Sequence, residues 1–220
     1  MTPEELVRYY PHVFHMAEAG SWPSIQQHGL LSTSALLDLF ELDGTTRTPI
    51  EESRRPSMVE ITHPIHGTAR IRDQGPLHEE RLRSCLTDMT PTQWYRLLND
   101  RVFFWLTEER LIELLCAKAY RDREHDVLVV DTAALLASRG DAVLLSPINS
   151  GATIYNAPKR GSQTFLPLES YPFSERRKAA GRARAIAELA VSRGIADVED
   201  VTLQVARRKG KTITETLFQR

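Results

Sequence analysis

The chain has 220 residues, 41% hydrophobic and 26% charged, with a formal net charge of −1 at pH 7. A chain of this length and balance buries a full core as one large domain, or one domain with an appendage, and its overall charge points to no partner. No run approaches the roughly 18 apolar residues of a membrane span, and no basic stretch leads into an apolar one after Met1, so a soluble, cytoplasmic protein is expected. The charge is unevenly spread: Tyr171 to Arg220 holds 11 Lys/Arg against 6 Asp/Glu, and the preceding residues 17 against 23. A basic tail on an acidic body suggests a tail that meets an anionic partner, DNA or RNA among them. Cys85 and Cys116 belong to no CxxC or Cys/His cluster and are read as buried thiols.

In chain order, Thr2-Pro3-Glu4-Glu5 caps a short helix through Tyr10. His12 to Met16 is a first strand, and Ser21 caps a helix from Trp22 to His28 that Gly29 ends. Thr33 to Leu42 is helical, and Asp43 to Arg55 a polar loop. Met58–Thr62 and Thr68–Ile71 are short strands around the turn Pro64-Ile65-His66-Gly67. Helices follow over Leu77–Leu86 and from Thr90, then a strand over Arg101–Leu106 and a helix over Glu108–Tyr120. Val127-Leu128-Val129-Val130 marks the clearest buried strand, and after a short helix from Thr132, Ala142–Ser146 is another. A long loop runs from Asn149 to Gly161, Thr164–Leu168 is a final strand, and Ser174 opens helical sequence reaching Ser192 and then Arg207. The expected class is α+β with about six short strands, divided into residues 1–173 as an α+β domain and 174–220 as a basic helical C-terminal extension.

The strongest signal lies in Phe14-His15-Met16, Trp22-Pro23-Ser24-Ile25 and His28-Gly29-Leu30-Leu31-Ser32. A histidine ends a short apolar run, and a helix with a glycine stop leads to a second strand-like start. This places His15 at a strand end facing a loop, where sites are commonly built. From Phe14 to Ser32 the order resembles the opening of the ADP-ribosyltransferase superfamily, in particular of the RNA 2′-phosphotransferases and the DarT-type DNA-modifying toxins. Arg101-Val102-Phe103-Phe104-Trp105 is similar to the aromatic strand of the DarT type. The resemblance implies a split β-sandwich that holds NAD, as a substrate, in a cleft between two small sheets. It implies that His15 hydrogen-bonds a ribose, with Gly29 and Ser32 in the same motif and Trp105 available to stack on a ring. Members of the superfamily commonly use a late glutamate that holds the ribose 2′-hydroxyl and supports an oxocarbenium-like transition state. No ExE or QxE motif is found, and Glu169, after the last apolar strand, is the late acid taken for that role.

The remaining candidates are polar groups beside strands. Arg54, Arg72 and Arg160 carry guanidinium forks that match phosphate oxygens, Asp73 could orient an arginine or accept a proton, and Gln74 is its neighbour. Asn149, Ser150 and Gly151 open the long loop and offer hydrogen bonds to a substrate. His63 and His66 lack a third ligand at a diagnostic spacing, so no metal is expected, and GxGxxG, GxxxxGK[ST] and GxSxG motifs are absent. The leading expectation is an NAD-dependent ADP-ribosyltransferase-like enzyme with a nucleic-acid acceptor. A non-catalytic module binding a nucleotide or nucleic-acid end, and an RNA 2′-phosphotransferase-like enzyme, stand beside it.

Overall fold

Residues 1–154 and 156–220 are described by a computed structural model. The Thr2 hydroxyl accepts from the Glu5 backbone N–H while the Glu5 carboxylate accepts from Thr2, a reciprocal cap that opens α1 (Pro3–Tyr9). Strand β1 (His12–Glu18) leads to α2 (Trp22–His28), β2 (Leu30–Leu31) and α3 (Thr33–Leu39), whose N-cap Ser32 accepts from Ala35 N–H. The expected polar loop instead contains α4 (Gly44–Glu51), which has Pro49 in its last turn. There follow the hairpin β3 (Val59–His63) and β4 (Gly67–Ile71), α5 (Glu79–Cys85), α6 (Pro91–Asn99), β5 (Arg101–Phe104) and α7 (Glu108–Leu115). The next elements are β6 (Glu124–Asp131), α8 (Thr132–Arg139), β7 (Val143–Ser146) and β8 (Leu166–Pro167). The chain ends with α9 (Phe173–Ala180), α10 (Arg182–Ala185), β9 (Glu188–Ser192), β10 (Gly194–Ile195), α11 (Val198–Val201), β11 (Thr202–Lys209) and β12 (Thr212–Gln219).

These elements form a mixed α+β chain with several antiparallel sheets. One four-stranded sheet has the order β1-β6-β11-β12 and another β5-β9-β7-β8, while β3-β4 and β2-β10 make two-stranded pairs. A bridge between Phe14 and Trp105, with backbone N···O distances of 2.9 and 2.8 Å, ties β1 to the residue after β5 and so joins the two larger sheets. Both contribute to one hydrophobic core: Val13, Leu128, Val130 and Val205 from the first, Phe104, Leu145, Leu189 and Val191 from the second, with Leu6 and Leu135 of α1 and α8. Each such leucine or valine adds about 1.5–3 kcal/mol on burial.

The helical C-terminal extension is not observed. The helical stretch is interrupted at Gly181, whose φ of 77° puts it in the left-handed region, and ends at Ala185; beyond it the one helix described is the short α11. From Glu188 onward the chain supplies β9, which lies between β5 and β7, and β11, which lies between β6 and β12. The tail therefore completes both sheets instead of standing apart from them. The Ala- and Arg-rich composition favours helix only weakly, and burial of Leu189, Ala190 and Val191 between two strands outweighs it. Among the described residues there are twelve strands, not about six, and no helix is long and apolar enough to cross a membrane. Cys85 is buried, whereas Cys116, at the C-cap of α7, is exposed.

Close backbone approach explains two glycines. Gly29 has φ 85°, and a Cβ there would lie 2.5 Å from the Ile195 carbonyl oxygen; Gly194, φ 116°, faces Leu30 in the same way from the other strand. The β2-β10 pair can form only with both side chains missing, and it fixes the segment Gly29–Ser32 beside β1 and β5.

Candidate active site

Alternation along β1 puts Val13, His15 and Ala17 on one face, with Val13 and Ala17 in the shared core. His15 lies mid-strand, not at the strand end. Its Nδ1 is 2.9 Å from the Phe103 carbonyl oxygen; since a carbonyl only accepts, Nδ1 carries the proton and Nε2 remains an acceptor. Burial pushes the His15 pKa down to about 4, against the pull of the Phe103 hydrogen bond and with help from the Arg72 charge, so the ring is neutral near pH 7.

His15 lines a cavity of about 300 Å³. Its walls come from Gly29–Ser32, from β4 and the following Arg72-Asp73-Gln74, from β5 through Trp105, and from Asn149-Ser150-Gly151. The segment entering α2 is held by the buried Asp126, whose Oδ2 accepts from Gly20 N–H (2.8 Å) and Trp22 N–H (3.2 Å) and whose Oδ1 accepts from Arg207 Nε (2.9 Å). On the hairpin side the buried Arg55 donates to the Arg72 carbonyl (3.1 Å) and to Asn99 Oδ1 (2.9 Å), fixing the chain on either side of the cavity wall.

A second titratable group faces the same space. Glu188, the first residue of β9, is 5% exposed, and its Oε2 accepts from Ser150 Oγ (2.6 Å) and Ser150 N–H (3.0 Å). Burial raises its pKa to about 7; the two Ser150 hydrogen bonds, Arg110 and Arg160 oppose the rise without cancelling it. Arg160 stands behind the loop: its Nη1 donates to the Ser150 carbonyl (2.9 Å), and its guanidinium lies 5.7 Å from the Trp94 ring centre. Ser150 is thus held from both sides, by Glu188 in front and Arg160 behind.

At another part of the wall, polar groups cluster around Asp73. Its Oδ1 accepts from Gly75 N–H (2.8 Å) and Tyr120 OH (3.1 Å). Arg72 donates to the Met16 carbonyl (3.3 Å) and lies over the Tyr120 ring at 5.2 Å. Glu18 accepts from Arg123 at 2.8 Å.

Of the residues singled out in the sequence, the fold brings His15, Gly29, Ser32, Arg72, Asp73, Gln74, Trp105, Asn149, Ser150 and Gly151 to this one cavity. Three stand apart from its lining. Glu169 is exposed on a 3₁₀ turn (Leu168–Ser170), Arg54 donates to the Gly75 carbonyl (3.0 Å), and Arg160 directs Nε to the Pro158 carbonyl (3.2 Å) and Nη1 to the Ser150 carbonyl (2.9 Å). Ser32 also has a structural task as the cap of α3. Sequence reasoning missed Glu188 because it fell inside an expected helix. The signal was present: a single acid in the run Ile186-Ala187-Glu188-Leu189-Ala190-Val191, whose other members are all apolar. His63 and His66 stack at 4.7 Å, with His28 5.2 Å from His66; among the described residues no group of three His, Cys, Asp or Glu is placed to hold a metal ion.

The site is therefore a cavity walled by strands of both four-stranded sheets, by the β3-β4 hairpin and by loops, with a neutral histidine and a buried acid on its walls. Over residues 11–202 the chain matches the model of a family described as a family of unknown function, DUF7002, and it belongs to that family. No curated protein matches it.

Proposed function

We propose that this chain is an NAD-dependent ADP-ribosyltransferase-like enzyme whose acceptor is a nucleic acid, and that Glu188, not Glu169, is its late glutamate. The observation that carries the reading is Glu188 itself: a buried carboxylate, oriented by two hydrogen bonds from Ser150, in the same cavity as His15 of the opening motif. The two four-stranded sheets, bridged at Phe14 and Trp105 and sharing a core, are also what a split β-sandwich with a cleft between its halves requires.

On this reading the bond between the ribose C1′ and the nicotinamide nitrogen breaks, nicotinamide leaves with the bonding pair, and the acceptor nucleophile bonds to C1′ as it loses its proton. Ionised Glu188 accepts from the ribose 2′-hydroxyl and stabilises positive charge developing on the sugar; Ser150 keeps the carboxylate aimed. Neutral His15 offers Nε2 to a sugar hydroxyl. Trp105, at the cavity wall with Arg110 5.4 Å from its ring centre, is placed to stack on a ring. The acceptor would meet Lys178, Arg182 and Arg184, exposed on α9 and α10 in the segment that runs directly into Glu188. A non-catalytic module has less support, since its motivation was the lack of a late glutamate.

The test is incubation of the protein with NAD labelled in its ADP-ribose portion and a panel of DNA, RNA and protein. Label transfer to nucleic acid, reduced about 10²–10³-fold in a folded Glu188→Gln variant, is the expected result. An absence of both transfer and nicotinamide release, or an equally active Glu188→Gln enzyme, refutes the proposal.

A further inference from the structure

The transfer reaction as drawn gives the two phosphates of the dinucleotide no partner. Four arginines line the cavity: Arg55, Arg70, Arg72 and Arg101. Three of them are committed to the protein. Arg55 is buried and donates to the Ile50 and Arg72 carbonyls and to Asn99. Arg72 donates to the Met16 carbonyl, lies over the Tyr120 ring and faces Glu18. Arg101 donates to the Leu97 carbonyl and lies 4.9 Å from the Phe165 ring centre. Arg70 differs, because its side chain is 40% exposed and a ligand can reach it. Alternation along β4 turns Ala69 and Ile71 into the cluster they share with α3 and α4, and leaves Arg70 on the other face, toward the start of α2.

The chain entering α2 places the head of Arg70. Its Nη1 donates to the Ala19 carbonyl (2.5 Å), and it fills the space a side chain at position 20 would need, since a Cβ on Gly20 would lie 2.8 Å from Nη1. Nε donates to Glu60 Oε2 (3.2 Å) in an ion pair whose side chains are 40% and 49% exposed, and water-exposed pairs of this kind hold weakly. Nη2 has no partner among the described residues. The edge formed by Nε and Nη2 is thus open to an anion that displaces Glu60, while Nη1 stays anchored. Ser24 of α2, half-buried, lines the same cavity, and α2 packs against β4. A planar two-donor edge with a hydroxyl on the neighbouring element suits phosphate, which carries more acceptor oxygens than the fork alone can fill. We propose that Arg70 is the centre of a phosphate subsite at the rim of the cavity and holds the pyrophosphate of the dinucleotide. This rests on the reading of the cavity as an NAD site. Arg70 is then a binding residue and takes no part in the transfer step.

The test is calorimetric titration of the full chain and of Arg70→Met with ADP-ribose, which cannot turn over, and with adenosine, which has no phosphate. Arg70→Met should weaken ADP-ribose about tenfold or more, the loss of hydrogen bonds between charged groups, and adenosine should not distinguish the variant from wild type. Unchanged ADP-ribose affinity in the folded variant overturns the subsite and leaves the NAD reading standing. An equal loss of adenosine also overturns it, because the substitution then disturbs the cavity and not a phosphate contact. If ADP-ribose does not bind the wild-type chain, the NAD reading falls and inorganic pyrophosphate decides the subsite by itself. Pyrophosphate binding that Arg70→Met weakens about tenfold upholds a phosphate site at Arg70, whereas no binding, or binding that the variant keeps, overturns it.

Discussion

Replacing Glu188 by glutamine should change how stability depends on pH, in a direction the buried carboxylate dictates. Its pKa rises from an ordinary 4.5 to about 7, equivalent to about 3 kcal/mol between its two protonation states. The folded chain holds this proton more tightly than the unfolded chain. The carboxyl's contribution is therefore fully present below pH 4.5, falls as pH rises toward 7, and is gone above it. Glutamine cannot titrate, yet its oxygen can still accept both Ser150 hydrogen bonds.

His15 acts in the opposite sense. With its pKa lowered from 6.5 to about 4, its contribution is present above pH 6.5 and is lost as pH falls through 4, again by about 3 kcal/mol. Between pH 4.5 and 6.5 the two slopes oppose each other, so the wild-type curve hides both. The quantity to measure is the difference in unfolding free energy between Glu188→Gln and wild type, by urea titration at intervals from pH 4.5 to 8. It should shift in favour of the variant by up to about 3 kcal/mol across that range. A difference that stays flat would mean that Glu188 is not held in a desolvated site, and the assignment of the cavity wall would be wrong.

Arg160→Met should cost about 1–3 kcal/mol in urea unfolding, because it strands the buried Ser150 carbonyl, and should lower label transfer through the displaced loop. Gly194→Ala should cost at least about 2 kcal/mol in thermal or urea unfolding, since the new methyl group meets the Leu30 backbone at a left-handed φ of 116°. Combined Lys178→Ala, Arg182→Ala and Arg184→Ala substitutions should leave stability nearly unchanged, weaken nucleic-acid binding and flatten its dependence on log[salt] by about 0.9 for each duplex phosphate that is no longer neutralised. An unaltered salt slope would place the acceptor elsewhere.

Much of the chain up to β6 was legible because its signals are local. The reciprocal caps at Thr2 and Thr90, the helix stop at Gly29 and the apolar run of β6 depend on residues next to one another in the chain. The C-terminal strands depend on partners far away. Glu188–Ser192 pairs with Arg101–Phe104 and Val143–Ser146, and nothing in Arg182–Ala187 warns that the helix must end there. The hairpin β11-β12 carried a weak local mark, two polar-apolar runs separated by Gly210-Lys211, but the basic residues around it read as the end of a helix. Arg207 instead pairs with the buried Asp126, and Arg208 with the half-exposed Glu108 at the start of α7, so the excess positive charge of the tail counts partly as structure.

The site shows the same division more sharply. His15, Gly29 and Ser32 fall within one short motif and could be found by residue order alone. Glu188 could not be found by counting forward from the last apparent strand, because that strand was not the last. A different signal marks it: an acid inside a run that is otherwise apolar is a candidate buried acid, but only where the run is buried on every side, since the helical runs around Asp38 and Glu113 turn their acids outward. Applied to 186–191, the signal marks Glu188, and it passes over Glu169, which lies between Leu168 and Ser170 on the surface. Hydrophobic neighbours alone therefore mark Glu188 only as a candidate, and it is the central position of β9, paired on one side with β5 and on the other with β7, that leaves the acid without a solvent-facing side and so puts it on the cavity wall.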